Sequence, residues 1–147
     1  MRKKDRTIRS VNRDGPAPYP PRISEATRPF WEALRDGRLT TTRCQDCGDT
    51  TFPPKAVCPN CFSERLSWQP LSGRGTLYSY STVWAGPKVF EEELPYTVCV
   101  VDLDEGLRVG SRLILDNGIE PMVGQRVTPV WVHYTDVTLF CFEPEEA

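Results

Sequence analysis

Histidine is nearly missing from this chain: its 147 residues hold one, His133. A serine or cysteine nucleophile activated by imidazole would therefore have a single candidate base, and that histidine lies near the end of a strand-like run, where a satisfied structural or surface role is the expected reading. No apolar run reaches the roughly 18 residues that a membrane-crossing helix needs. The opening Met1-Arg-Lys-Lys-Asp-Arg6 is charged where a secretory signal would be apolar. The expected location is cytoplasmic. No glycine-rich phosphate loop is present, because Gly73-Arg-Gly75 precedes a strand-like run and reads as a turn. No pair of carboxylates stands out, and Glu91-Glu92-Glu93 reads as a solvated loop. A strong charge of one sign is lacking as well: 18 Lys and Arg face 20 Asp and Glu, a net charge of −2. That balance weighs against generic nucleic-acid binding. Together these absences remove the usual constellations of an independent enzyme.

Six cysteines are present, and four of them are spaced in pairs. Cys44-Gln-Asp-Cys47 and Cys58-Pro-Asn-Cys61 are two Cys-x-x-Cys knuckles, separated by a segment short enough to bring four thiolates around one ion. Zinc favours tetrahedral sulfur coordination, and a four-Cys shell leaves no open position for a substrate. Iron would use the same ligand set, and two disulfides or four unrelated thiols are the bland alternatives. The paired spacing and a reducing compartment favour structural zinc. Gly48 follows the first pair, where the chain must turn tightly. Arg38–Arg43 and Thr50–Phe52 read as the arms of a short hairpin, giving a zinc ribbon. Cys99 and Cys141 lie in apolar strand-like runs and read as small core residues.

Residues 1–15 are basic and almost without apolar side chains, and Pro16, Pro18, Pro20 and Pro21 follow. Residues 1–26 are therefore expected to be a disordered basic and proline-rich tail. Residues 27–68 should form a short helix plus the ribbon. Thr27 or Arg28 can cap that helix, Pro29 fits its first turn and Gly37 ends it. Phe30, Ala33 and Leu34 share one face with Trp31 beside them, an aromatic surface that must dock on this chain or on a partner. Residues 69–147 read as all-β. Strand patterns run over Thr76–Trp84, Tyr96–Leu103, Leu107–Leu115, Val127–Tyr134 and Val137–Phe142, with turn signals at Asp104-Glu-Gly106, Asn117-Gly118 and Thr135-Asp136. Gly110 is expected to mark a bend or bulge. Five short strands are economically closed as an OB-fold barrel, with a small open sandwich as the competitor. The fold class is mainly β.

Several stretches carry a more specific pattern. They are Phe30-Trp31-Glu32-Ala33-Leu34, Cys44-Gln-Asp-Cys47-Gly48, Phe52-Pro53-Pro54 and Cys58-Pro59-Asn60-Cys61. In the second half they are Gly73-Arg74-Gly75-Thr76-Leu77-Tyr78-Ser79-Tyr80, Pro95-Tyr96, Asp104-Glu105-Gly106 and Phe142-Glu143-Pro144. Over residues 27–144 the chain resembles the stand-alone rubredoxin-like zinc-ribbon/OB-fold proteins, formerly a domain of unknown function, that accompany thiolase-like enzymes. The resemblance implies a non-catalytic auxiliary subunit of an acyl-CoA-processing complex. The partner it implies is a thiolase, acyltransferase, thiolase-type aldolase or hydratase of lipid, polyketide-like or steroid side-chain metabolism. The chain would act as scaffold and contribute to a CoA or acyl channel, with the catalytic residues in the partner.

On this reading the catalytic set is empty and the metal set is Cys44, Cys47, Cys58 and Cys61. Candidate partner contacts are Phe30, Trp31, Leu34, Trp84 and Phe90, with Leu94 bordering the same loop. Candidate cations for coenzyme A phosphates are Arg74, Lys88, Arg108 and Arg112, with Arg126 a further one. The competing reading is a module for single-stranded nucleic acid, with Tyr78 and Tyr80 stacking bases.

Overall fold

The computed structural model describes residues 8–116 and 119–145. The elements are β1 (Arg9–Asn12), α1 (Arg28–Arg35), β2 (Leu39–Cys44), β3 (Thr50–Thr51), β4 (Leu66–Leu71), β5 (Gly75–Val83), a 3-10 turn (Lys88–Glu93), β6 (Tyr96–Leu103), β7 (Arg108–Leu113), β8 (Arg126–His133) and β9 (Thr138–Pro144). No helix among the described residues is long and apolar enough to cross a membrane.

Strands β5 to β9 close on themselves. The pairs β5–β6, β6–β7, β8–β9 and β5–β8 are antiparallel, and β7 meets β9 in parallel at Leu113 and Phe142. This is a five-stranded barrel of the OB type. Inward-facing Cys99, Val101 and Leu103 on β6 alternate with Val98, Val100 and Asp102, as a half-buried strand requires. Leu77, Val109, Leu113, Val127 and Phe142 complete the interior. Each such side chain contributes ~1.5–3 kcal/mol through burial. Closure depends on Gly75, which pairs with Leu103 on one side and Val127 on the other. A Cβ there would lie 2.3 Å from the Asp102 carbonyl oxygen, so only glycine lets the two strands approach.

The irregularity in the barrel is not at Gly110, which pairs with Val100 in unbroken register. It lies in β5, where a bulge between Leu77 and Ser79 shifts the pairing with β6. Within β8 only Arg126 and Val127 pair with β5, which leaves the edge past Val127 open. Strand β1 takes over at Val130–His133 of β8, in parallel. The disordered tail expected over residues 1–26 is thereby corrected for its second part. An unpaired strand edge in β8 supplies hydrogen bonds that a locally featureless Arg-Ser-Val-Asn cannot supply for itself. Further links pin the arm: Arg13 N–H donates to His133 O at 2.8 Å and Thr135 N–H to Gly15 O at 3.0 Å. Ala17 is buried, with its N–H on Asp136 at 2.9 Å. Residues 1–7 and the Asn117-Gly118 turn signal lie outside the described residues.

Strands β3, β2 and β4 form a separate antiparallel sheet. The helix lies between this sheet and the barrel. Phe30 packs edge-on to Phe52 of the ribbon at 5.8 Å and Phe140 of the barrel at 6.5 Å, and Phe140 in turn meets Phe142 at 5.8 Å. One apolar cluster therefore runs from Phe30 and Leu34 through Leu39 and Leu71 into the barrel interior. Thr27 occupies the N-cap position without a side-chain cap bond, since its hydroxyl is engaged with Ser24.

Candidate metal centre

The two knuckles lie at the loops that join the ribbon strands, and local backbone bonds fix where their thiols point. Cys44 is the last residue of β2, and Cys58-Pro-Asn-Cys61 precedes β4. Gly48 N–H donates to Cys44 O at 3.0 Å, and Phe62 N–H donates to Cys58 O at 2.9 Å. These bonds fold each pair into a tight turn with its sulfurs converging. The four Sγ atoms lie within 4.8 Å of one another. Cys44 and Cys61 are 3.5 Å apart, and Cys47 and Cys58 are 3.6 Å apart, with no disulfide. A tetrahedron with Zn–S bonds of ~2.3 Å has edges of roughly 3.8 Å, so the donor set fits zinc without rearrangement.

The electrostatics agree. Hydrogen bonding from the Cys47 amide lowers Cys44 to about 6. Cys47 is lowered by the Asn60 side-chain amide. At Cys61 the Ser63 amide pulls downward, yet the neighbouring thiols and burial outweigh it and push the group up to about 12. Four thiolates cannot share this volume unless a cation neutralises them. Cys44 and Cys58 are buried while Cys47 and Cys61 face solvent, and all four positions are filled by sulfur. The site can hold structure and has no vertex for a substrate.

The remaining candidates do not assemble into a reactive centre. His133 Nδ1 is 2.8 Å from Thr138 Oγ1, across the β8–β9 rung. Burial pushes the Cys99 thiol up to about 12 and the Cys141 thiol up to about 11, which keeps both protonated and unreactive. Phe30 and Leu34 were candidates for a partner surface. They are 4% and 0% exposed and belong to the chain's own core, so that expectation is corrected. The ribbon, the helix and the barrel together supply enough apolar surface to bury them. Trp31 packs partly against the same cluster, and its Nε1 is buried without a hydrogen-bond partner among the described residues. Trp84 is 75% exposed. Phe90 packs edge-on to Tyr96, with the Arg112 guanidinium over both rings.

Arg112 is ion-paired with Glu93, and Arg108 with Asp102 at 2.7 Å while its guanidinium covers Tyr78. Arg126 forms a bidentate pair with Asp104. Arg74 and Lys88 have no ion pair with a described residue. The Ser63–Asp46–Arg65 link between the knuckles escaped sequence reasoning, because no local pattern pairs residues that far apart.

Comparison with known proteins places this architecture. Residues 31–67 match the profile of the ChsH2 rubredoxin-like zinc ribbon domain, and residues 68–132 match that of the ChsH2 C-terminal OB-fold domain. A DUF35 domain-containing scaffold protein of Methanocaldococcus jannaschii is 33% identical over 94 residues, 63% of this chain and 67% of that protein. The benzoylsuccinyl-CoA thiolase subunit BbsA of Thauera aromatica is 40% identical over 85 residues, 56% of this chain and 58% of that one. Among solved structures, the Ltp2-ChsH2(DUF35) aldolase has a chain that superposes with a TM-score of 0.74 at 31% identity, covering 85% of this chain and 98% of its own. The chain belongs to the DUF35 family of ChsH2-type proteins, built from a rubredoxin-like zinc ribbon followed by an OB-fold domain.

Proposed function

We propose that this chain is a non-catalytic subunit of an acyl-CoA-processing complex, acting as scaffold for an enzyme of the thiolase class or a related aldolase or hydratase. The observation that carries the reading is the closed four-thiol site, joined to a barrel whose one histidine is tied to Thr138. The relatives support it: one is called a scaffold protein, and others are a thiolase subunit and part of an aldolase. A cytoplasmic location accompanies this reading, since six unbridged cysteines suit a reducing compartment. Contact with coenzyme A belongs to the same proposal. Arg74 and Lys88 are the better candidates for it, because Arg108 and Arg112 already hold carboxylates of this chain. The nucleic-acid reading loses its platform. One face of Tyr78 is covered by Arg108, and the β5 bulge interrupts the alternation that would align Tyr78 with Tyr80.

The test is reconstitution with a purified thiolase-fold acyl-CoA enzyme from the native host. Alone, that enzyme is expected to be unstable or poorly active, and zinc-loaded chain should restore it while turning over no acyl-CoA itself. Thioester turnover by the isolated chain, abolished by His133→Ala, would contradict the proposal. So would a lone enzyme already fully active and indifferent to this chain.

A further inference from the structure

The two knuckles are near copies, and they differ at one position in a way that the ribbon itself does not require. In each, the residue after the second cysteine takes a left-handed backbone: Gly48 at φ 78° and Phe62 at φ 63°. Glycine adopts that geometry freely, whereas a bulky side chain there is an outlier among folded proteins. Phe62 is the one non-glycine residue with positive φ among the described residues. Little of its ring is covered by this chain in return. It is 78% exposed, the highest value among the large apolar side chains described, and it stacks on no described aromatic ring. A strained backbone and a solvated phenyl ring both disfavour phenylalanine at this position in the free chain. Strain kept where the fold does not need it points to use by something outside the fold.

The ring is also held ready. Phe62 N–H donates to Cys58 O and Cys58 N–H to Ser63 O, each at 2.9 Å. Ser63 Oγ donates to Asp46 of the opposite knuckle, and Arg65 pairs with the same carboxylate at 2.8 Å. With the four thiols converging beneath it, the tip is a rigid mount. Val57, 42% exposed, precedes the knuckle. An aromatic side chain on a rigid mount loses little conformational freedom on docking, which is the property of an interface anchor.

We infer that Phe62 is an anchor that inserts into an apolar socket, about the size of one ring, on the acyl-CoA enzyme subunit. The inference rests on the scaffold reading above and assigns its docking point. A second copy of this chain is the poorer occupant. A surface pocket beside α1 mixes the apolar Ile23, Trp31 and Val137 with the charged Arg28, Glu32, Arg35 and Asp136, and a phenyl ring entering it would desolvate those charges.

The experiment compares zinc-loaded full-length wild type, Phe62→Gly and Phe62→Ala. Zinc content, thermal melting and calorimetric binding to the purified thiolase-fold enzyme are measured for each. Phe62→Gly relieves the strain, so it should melt at or above wild type with one zinc retained, and still bind at least tenfold more weakly. Phe62→Ala should bind as weakly without the gain in melting temperature. A purely structural residue would move stability and binding in the same direction. Wild-type affinity in Phe62→Gly overturns the inference and leaves the scaffold reading standing. A wild-type chain that binds no such enzyme overturns both. A wild-type dimer that Phe62→Gly converts to monomer in sedimentation assigns the ring to a second copy and overturns the inference.

Discussion

Strand β2 of the ribbon and strand β8 of the barrel are both well buried, and they are buried by different means. In β2 the covered run is Leu39, Thr40, Thr41 and Thr42, three hydroxyls in four residues. The Thr41 hydroxyl donates to the Thr51 carbonyl. The Thr42 hydroxyl accepts from Lys55 N–H at 2.9 Å and lies 3.2 Å from Lys55 O. In β8 the covered run is Val127, Pro129, Val130, Trp131 and Val132, apolar throughout. The cysteine-bearing end of the ribbon is thus fixed by directional bonds and four sulfurs, while its Leu39 and Leu71 share the apolar core that holds the barrel by removing apolar surface from water. Hydroxyl bonds contribute only about 0.5–1.5 kcal/mol each. A structural zinc contributes ~10–16 kcal/mol in finger peptides. The ribbon should therefore depend on metal, while the barrel should not.

The largest effect that would sharpen this contrast is in Cys58→Ser. It removes one of the two buried ligands, and the ribbon is expected to lose its zinc and open to proteolysis between Thr40 and Leu66. Stoichiometric zinc in this variant, read by elemental analysis, would break the contrast. The counterpart in the barrel is Phe142→Ala, at a side chain that is 0% exposed. A loss of ~3–5 kcal/mol in denaturant unfolding is expected, with zinc content unchanged.

The smallest effect is electrostatic. Hydrogen bonds from the Arg126 guanidinium hold the Asp104 carboxyl below the usual carboxylate range. Because the folded value is depressed, the contribution is fully present above the unfolded value of about 3.9 and disappears as pH falls through the folded value. Asp104→Asn should cost under ~1 kcal/mol at neutral pH, since the pair is half exposed. The difference from wild type should vanish in strong acid, as followed by melting temperature against pH.

The sequence was legible where structure is local. Paired cysteines set the ribbon, period-two alternation set the five barrel strands to within a few residues, and the 3.6-residue spacing set α1. What escaped it was long-range. Strand β4 was missed because Leu-Ser-Trp-Gln-Pro-Leu71 has no clean alternation and carries Pro70; it exists because β2 offers a partner edge. Strand β1 was missed because its partner lies at Val130–His133, beyond the whole ribbon and most of the barrel. The inward packing of Phe30 was undecided in sequence, because Phe52 and Phe140 close over it from two other elements. At the metal centre the ligand set was legible, and the left-handed Phe62 was not, since backbone sign has no sequence signal outside glycine and asparagine.

Hydrogen exchange of the zinc-loaded chain, before and after a strong chelator, tests the central claim most directly. Amides of Leu39–Cys44 and Leu66–Leu71 are expected to lose protection on metal removal, while those of Tyr96–Leu103 and Arg126–His133 keep theirs. Ribbon amides that stay protected without metal, or barrel amides that open together with them, would contradict the account.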